Sequence, residues 1–194
     1  GFKVIDATCP MVKEIHKIAS GMEKKGYKII IIGDRDHDEV RGIIGQLNKG
    51  AEIIDTPDSP VLKKLGRMKK ACVVVQSTQN LDKVSSIIGF LKPLIKDLKF
   101  YNTICLPTRI KQAEIKKMPL QNNAMVIIGS KASANTRRLY EISRALNPRT
   151  YWVTSRQEIK TGWFKNAKSV GVTAGASTPD TTTQEIVRYL KKIN

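Results

Sequence analysis

The chain has 194 residues, 41% hydrophobic and 26% charged, with 34 Lys and Arg against 17 Asp and Glu for a net charge of +17. That is a globular composition, long enough for one large domain or two small ones, and the longest apolar runs, around Ile29–Ile32 and Cys72–Val75, fall far short of the ~20 residues of a membrane span. No charged start followed by an apolar segment and a small-residue cleavage site precedes Asp6, and three unclustered Cys fit a reducing compartment better than a disulfide scaffold. The expected location is cytoplasmic, with no membrane partner.

The charge is spread over the chain: residues 1–99 carry 18 basic and 12 acidic side chains, and residues 100–194 carry 16 and 5. No run of five like charges occurs, and 6% aromatic content offers little for base stacking. The expectation is a solvated, Lys-rich surface with weak attraction for polyanions and no specific nucleic-acid partner.

In chain order, a strand-like approach ends at Asp6-Ala7-Thr8-Cys9-Pro10, and Val12, Ile15, Ile18, Ala19 and Met22 then fall at helical spacing before Gly26. The run Lys28–Ile32 reads as a strand closed by Gly33, Ala51–Asp55 and Ala71–Ser77 as further strands, and Leu81, Val84, Ile87, Ile88 and Leu91 as a helix ending before Pro93. Asn102-Thr103-Ile104-Cys105-Leu106-Pro107 then repeats the opening pattern. After it come the strand Met125–Ile128 closed by Gly129, a helical stripe through Leu139, Ile142, Ala145 and Leu146, strands at Thr150–Thr154 and Ser169–Ala174, and a last stripe through Ile186, Val187, Leu190 and Ile193.

Cys9 and Cys105 are 96 positions apart, and Gly33 and Gly129 each follow their Cys by 24. Two copies of one unit therefore succeed each other. Short apolar strands alternating with helices imply parallel sheets covered on both faces. The expected fold class is α/β, with two similar small parallel-sheet sandwiches at residues 1–99 and 100–194. In such sheets ligand groups gather beyond the carboxyl ends of the strands, where the polar segments of this sequence fall.

Five of those segments resemble the 4-hydroxy-3-methylbut-2-enyl diphosphate reductase family, the iron–sulfur enzymes known as LytB or IspH. They are Asp6-Ala7-Thr8-Cys9-Pro10 with Val12; His37-Asp38-Glu39-Val40 with Gly42; Gln76-Ser77-Thr78; Asn102-Thr103-Ile104-Cys105 with Thr108 and Gln112; and Gly129–Asn135 followed by Val172–Asp180. The resemblance implies two thirds of a three-domain trefoil with one cluster-binding Cys per domain, and so a preceding first domain. It implies reductive dehydroxylation of 4-hydroxy-3-methylbut-2-enyl diphosphate to isopentenyl and dimethylallyl diphosphate when that domain completes the protein. The alternatives are a natural truncated relative that binds a small phosphorylated ligand or a partner without catalysis, and a split enzyme completed by a separate first domain or a dimer mate.

By the same resemblance Cys9 and Cys105 are metal ligands, Glu39 delivers a proton as the allylic hydroxyl leaves, and His37, Ser77, Thr108, Ser133, Asn135 and Ser177 bind the diphosphate. The expected cofactor is a 4Fe-4S cluster, absent or labile in this chain alone, with ferredoxin or flavodoxin as electron donor to the complete enzyme. The chemistry suits the residues: soft thiolates hold iron–sulfur clusters, a departing hydroxide needs a positioned acid, and hydroxyls, amides and helix N-termini bind phosphate. Each also has a plainer role, with Ser133, Asn135 and Ser177 suited to capping helices and a Cys to the core. Cys72 lies inside a strand, ~13 Å from its end at ~3.3 Å per residue, and is expected in the core; His16 is expected to be structural or peripheral. The sequence departs from the family pattern at Ser77, where Thr is commoner, at Ala134, where Ser often lies, and at Ile110-Lys111, where Asn-Arg or similar is frequent.

Overall fold

Lys28-Ile29-Ile30-Ile31-Ile32 is β-branched at every apolar position with no polar alternation, the pattern of a strand buried on both faces. In a computed structural model describing residues 2–65 and 68–193 it forms β1 (Lys28–Ile32), with all four isoleucines at 0–1% exposure. Chain contacts divide the protein into two compact units, Gly1–Cys105 and Leu106–Asn194. The first contains α1 (Pro10–Lys24), β1, α2 (Asp38–Ile44), β2 (Ala51–Ile54), α3 (Val61–Leu65), β3 (Lys70–Val75), α4 (Leu81–Leu91) and β4 (Asp97–Phe100). The second contains α5 (Leu106–Ile115), α6 (Met118–Gln121), β5 (Ala124–Ile128), α7 (Ala134–Leu146), β6 (Thr150–Val153), two 3-10 turns (Arg156–Glu158 and Thr161–Phe164), β7 (Val170–Ala174) and α8 (Asp180–Leu190).

Both sheets are wholly parallel, with strand orders β2-β1-β3-β4 and β6-β5-β7. The repeat read from the sequence is thus a repeat of topology, with β5, β6 and β7 answering β1, β2 and β3. In the first unit Ile30, Ile32, Val73 and Val75 pack against Val84, Ile87 and Leu91 of α4, while Ile29, Ile31 and Val74 pack against Ile15 and Ala19 of α1 and Ile43 of α2. The second unit repeats this in smaller form, with Val126 and Ile128 facing Ile186 and with Met125 and Ile127 facing Leu139 and Ile115. Each fully buried Ile contributes about 1.5–3 kcal/mol relative to exposure, so the sheet interiors dominate the stability of each unit.

A boundary at 99/100 falls inside β4, whose residues pair with β3 in register Ala71↔Leu98 and Val73↔Phe100. Thr103 extends that attachment, because its Oγ1 accepts from the Val75 N–H at 2.8 Å and donates to the Val75 carbonyl, as a further strand residue would. Two helices, α2 and α5, lie in stretches for which the sequence pattern predicts no element. In α2 the pattern Val40, Ile43, Ile44 is short but helical, and in α5 the inward face is Thr108, Gln112 and Ile115, polar enough to hide the period. The last helix stops at Leu190, short of Ile193.

Candidate functional site

In the first unit the strand order reverses between β1 and β3, and the loops leaving their carboxyl ends meet there, as parallel sheets require of a ligand crevice. Gln76, fully buried at the end of β3, joins them: its Oε1 accepts from the Asp34 N–H at 2.8 Å and its Nε2 donates to Thr78 Oγ1 at 3.1 Å. Gly33 permits this approach, since a Cβ there would lie 2.7 Å from Val40 Cγ2 and 3.1 Å from the Gln76 Cβ. The sequence motif containing Gln76 assigns it no role; its one signal is a polar side chain closing the apolar strand Cys72–Val75.

His37 is the N-cap of α2, its Nδ1 accepting from the Glu39 N–H at 3.1 Å. A ring that accepts at Nδ1 carries its hydrogen on Nε2 when neutral, leaving that nitrogen as a donor. Within the first turn, Glu39 is tied to Ser77 through both oxygens, Oε1 accepting from the Ser77 N–H at 2.6 Å and Oε2 from Ser77 Oγ at 2.7 Å. The Ser77 carbonyl accepts in turn from the Cys105 N–H at 2.9 Å. His37, Glu39, Ser77 and the Cys105 backbone therefore form one connected group at the strand ends. His16 packs across Gly42 from α1, where a Cβ would be 3.5 Å from His16 Nε2, and that nitrogen is buried without a partner among the described residues.

The second unit builds its equivalent loops from neutral groups. Ser133 caps α7, Oγ accepting from the Thr136 N–H at 3.3 Å, so its cap role is realised. Asn135 and Thr108 are buried together, with a 3.5 Å contact from Thr108 Oγ1 to Asn135 Oδ1, while Asn135 Nδ2 has no partner among the described residues. Ser177 is exposed on the loop after β7 and does not cap α8, whose N-cap is Pro179 without a side-chain bond. Thr136 and Thr178 were not foreseen. Thr178 Oγ1 donates to the Ile128 carbonyl at 3.1 Å, Thr136 Oγ1 is buried and unpartnered among the described residues, and both hydroxyls fit only beside glycines. A Cβ at Gly129 would lie 2.6 Å from Thr136 Oγ1 and one at Gly175 2.2 Å from it. Next to this loop, Thr173, Ala176, Asp180 and Lys111 line a cleft of about 490 Å³.

The three thiols have distinct settings. Cys9 is exposed immediately before α1, in a segment where Asp6 accepts from the Thr8 N–H and pairs with Lys13 at 2.6 Å. The Lys13 hydrogen bond, with those from Thr8, holds the Asp6 carboxyl below the usual carboxylate range. Cys105 is half-buried just before α5, and Cys72 is fully buried in β3, where desolvation pushes its thiol up to about 12. Among the described residues no group of three or more His, Cys, Asp or Glu is gathered to hold a metal ion. Cys9 and Cys105 have the donor chemistry for an iron–sulfur cluster, soft and free of disulfides; Cys72 does not offer a thiolate.

Two parallel-sheet units, the first with a carboxylate and an imidazole and the second with clustered hydroxyls at the strand ends, place the chain among the parallel α/β proteins. The profile of the family described as LytB protein matches residues 1–191, and the chain belongs to that family. It is 37% identical over 199 residues to the 4-hydroxy-3-methylbut-2-enyl diphosphate reductase of Aquifex aeolicus (strain VF5), covering 100% of this chain and 67% of that protein. It is 36% identical over 191 residues to the reductase of the same name from Clostridioides difficile (strain 630), covering 98% and 68%. Among solved structures, an (E)-4-hydroxy-3-methyl-but-2-enyl diphosphate reductase, described as the terminal enzyme of the non-mevalonate pathway, matches with TM-score 0.61 at 36% identity over 98% of this chain and 68% of that one. The E-1-hydroxy-2-methyl-but-2-enyl-4-diphosphate reductase of Plasmodium falciparum matches with TM-score 0.87 at 28% identity over 96% and 59%. The chain thus spans about two thirds of these relatives. No helix among the described residues is long and apolar enough to cross a membrane.

Proposed function

We propose that the chain carries the acid, the diphosphate donors and two of the thiolates of a 4-hydroxy-3-methylbut-2-enyl diphosphate reductase. The single observation that supports this most is the Glu39 carboxylate held at both oxygens by Ser77, two residues on from the capping His37. In the reaction the allylic C–O bond breaks, two electrons and two protons enter, one proton leaving with the hydroxyl as water and the other forming a new C–H bond. A carboxylate at Glu39 accepts both Ser77 hydrogens. Once Glu39 takes up a proton it can donate to Ser77 Oγ, and the serine hydrogen is released toward a departing oxygen, so the pair can pass a proton without moving backbone. His37 Nε2 is the free donor of the same loop and suits a phosphate oxygen.

In the second unit the reading assigns diphosphate contacts to Ser133, Asn135, Ser177 and Thr108. Support comes from the Asn135 amide nitrogen, unpartnered among the described residues, and from the amino end of the 13-residue α7, both of which favour an anion. Cys9 and Cys105 would hold a 4Fe-4S cluster, which when bound supplies electrons delivered by a ferredoxin- or flavodoxin-type donor. With Cys72 buried, at least one further ligand must come from outside this chain's own cysteines, and a further unit of the relatives' length is the expected source.

The test is anaerobic reconstitution with iron and sulfide, followed by an assay with a chemical reductant. The chain alone is expected to retain no stable four-iron cluster and to turn over negligibly; the remaining third of a relative, added in trans, should restore both. Four irons per chain retained through desalting would overturn the ligand assignment. No restoration in trans, with pyrophosphate binding intact, would favour the non-catalytic phosphate-binding alternative.

A further inference from the structure

The loops that follow β1 and β5 occupy equivalent places, yet a different neighbouring strand holds each. After β1 the tie comes from the end of β3, where Gln76 reaches the Asp34 N–H. The repeat puts Gly175 at the Gln76 position, since the Gln76 N–H donates to the Ile32 carbonyl and the Gly175 N–H to the Ile128 carbonyl, both at 2.9 Å. Glycine has no side chain to make that reach, so the Gly129–Asn135 loop receives no such tie from this position.

The strand on the other side supplies one. In β6, Trp152 stands in register with Ile127, the place that Ile53 holds beside Ile31 in the first sheet. Ile53 packs into its unit's apolar core, whereas the half-buried Trp152 brings a donor, and its Nε1–H donates to the Gly129 carbonyl at 2.8 Å. Lys131, the one charged residue of Gly129–Asn135, donates from Nζ to the Trp152 carbonyl at 2.5 Å and stands 4.6 Å from the centre of the indole ring. Tyr140 of α7 lies beside the same indole, with ring centres 5.4 Å apart. One residue thus touches the start of the loop, its middle and the helix it leads into.

We propose that Trp152 is the positioning residue of the Gly129–Asn135 loop, fixing the conformation in which Ser133 and Asn135 present their donors to an anionic ligand. The inference rests on the diphosphate reading of the second unit. An indole has a single N–H and no acceptor, and here it is directed at the carbonyl of a glycine with φ +149°, a conformation closed to most residues. Fixing that carbonyl fixes the peptide plane with which the loop begins. The cation–π contact of Lys131 and the ring contact of Tyr140 hold the rest of the loop against the same side chain. A loop ordered beforehand spares the ligand the entropy of ordering it, so the contribution of Trp152 appears in affinity although it acts only through the loop.

Trp152→Phe keeps an aromatic ring and removes the N–H; Trp152→Leu removes both. In titration calorimetry of the 194-residue chain with pyrophosphate as the probe, the first should weaken binding about three- to tenfold and the second further, while Trp163→Phe, at the chain's other tryptophan, leaves it within about twofold. Hydrogen exchange of the unliganded chain should quicken at Lys131–Ser133 in Trp152→Phe and stay unchanged along β5. Of the two indole N–H signals in a proton–nitrogen spectrum, the one that Trp163→Phe leaves in place should shift as pyrophosphate is added, following the calorimetric dissociation constant, a signature that a purely structural tryptophan does not give. Equal binding by the parent and Trp152→Phe, loop exchange that is unchanged or quickened equally through β5, or a Trp152 indole signal that stays still at saturation overturns the proposal. A parent that binds no pyrophosphate defeats the diphosphate reading instead, and the exchange rates alone then decide whether Trp152 holds the loop.

Discussion

The two units use one topology to present different chemistry. At the strand ends of the first, the polar groups satisfy one another: Glu39 has both oxygens on Ser77, and Gln76 has both ends engaged. In the second, Asn135 Nδ2 and Thr136 Oγ1 are buried without partners among the described residues, and Ser177 stands exposed. A group whose hydrogen bonds are complete is already oriented before a ligand arrives, whereas donors left open gain from the ligand itself. On the proposed function, the first unit would supply a pre-oriented acid and the second the donors for an anion.

The largest effect that sharpens this contrast is expected at the equivalent glycines. Gly129 has φ +149°, and a Cβ there meets two hydroxyls at 2.6 and 2.9 Å; Gly33 has no positive φ and meets the Val40 methyl at 2.7 Å. Gly129→Ala should cost about 3 kcal/mol and Gly33→Ala about 2 kcal/mol in urea unfolding. Equal costs would remove the claim that the second loop is the tighter one. Next comes Glu39→Gln in the complemented reductase, which should lower kcat about 100-fold with KM little changed and stability altered by less than about 1 kcal/mol. A loss confined to KM would move Glu39 from proton transfer to binding.

Ser177→Ala tests the other half. The parent chain should bind pyrophosphate at about 0.1–1 mM, and the variant should weaken that by about three- to tenfold in titration calorimetry at physiological salt, with no change in unfolding. Binding that is unchanged, or that salt abolishes wholly in both proteins, would leave only the basic surface. The smallest effect concerns acid. The N–H groups of Asn48 and Lys49 bond the Glu23 carboxylate and hold it below the ordinary Glu range. A folded value below the unfolded one, roughly 4.3, stabilises at neutral pH, and that contribution disappears as pH falls through the folded value. Stability plotted from pH 6 toward about 3 should therefore decline less in Glu23→Gln than in the parent; identical curves would count against the assignment.

The sequence was most legible where periodicity is strong. The isoleucine run of β1 and the stripes of α1, α4 and α7 are unmistakable, and the 96-residue offset revealed the duplicated sheet. It was least legible where polar residues face inward, since Thr108 and Gln112 in α5 are buried by tertiary partners that no local pattern announces. The same holds at the site. Motif order brought His37, Glu39 and Ser77 into view, but the two-pronged contact from Ser77 to Glu39 depends on β1 and β3 being neighbours, and the glycine-enabled packing of Thr136 depends on three-dimensional space. Ser177 has the composition of a cap beside Pro179 and is not one, because α8 starts at Asp180 with Pro179 as its N-cap, two residues later than a cap at Ser177 would start it.

Burial of Cys72 gives the molecule an internal clock. A thiol-specific reagent consumes thiolate, and a group shifted to about 12 inside a strand offers almost none until the sheet opens. Cys9 and Cys105 should thus label promptly in the native chain, and the third equivalent should arrive only at the rate of opening of the first unit. That slow phase would report the survival of β3 in any variant, cluster-loaded or not, from a colour change alone.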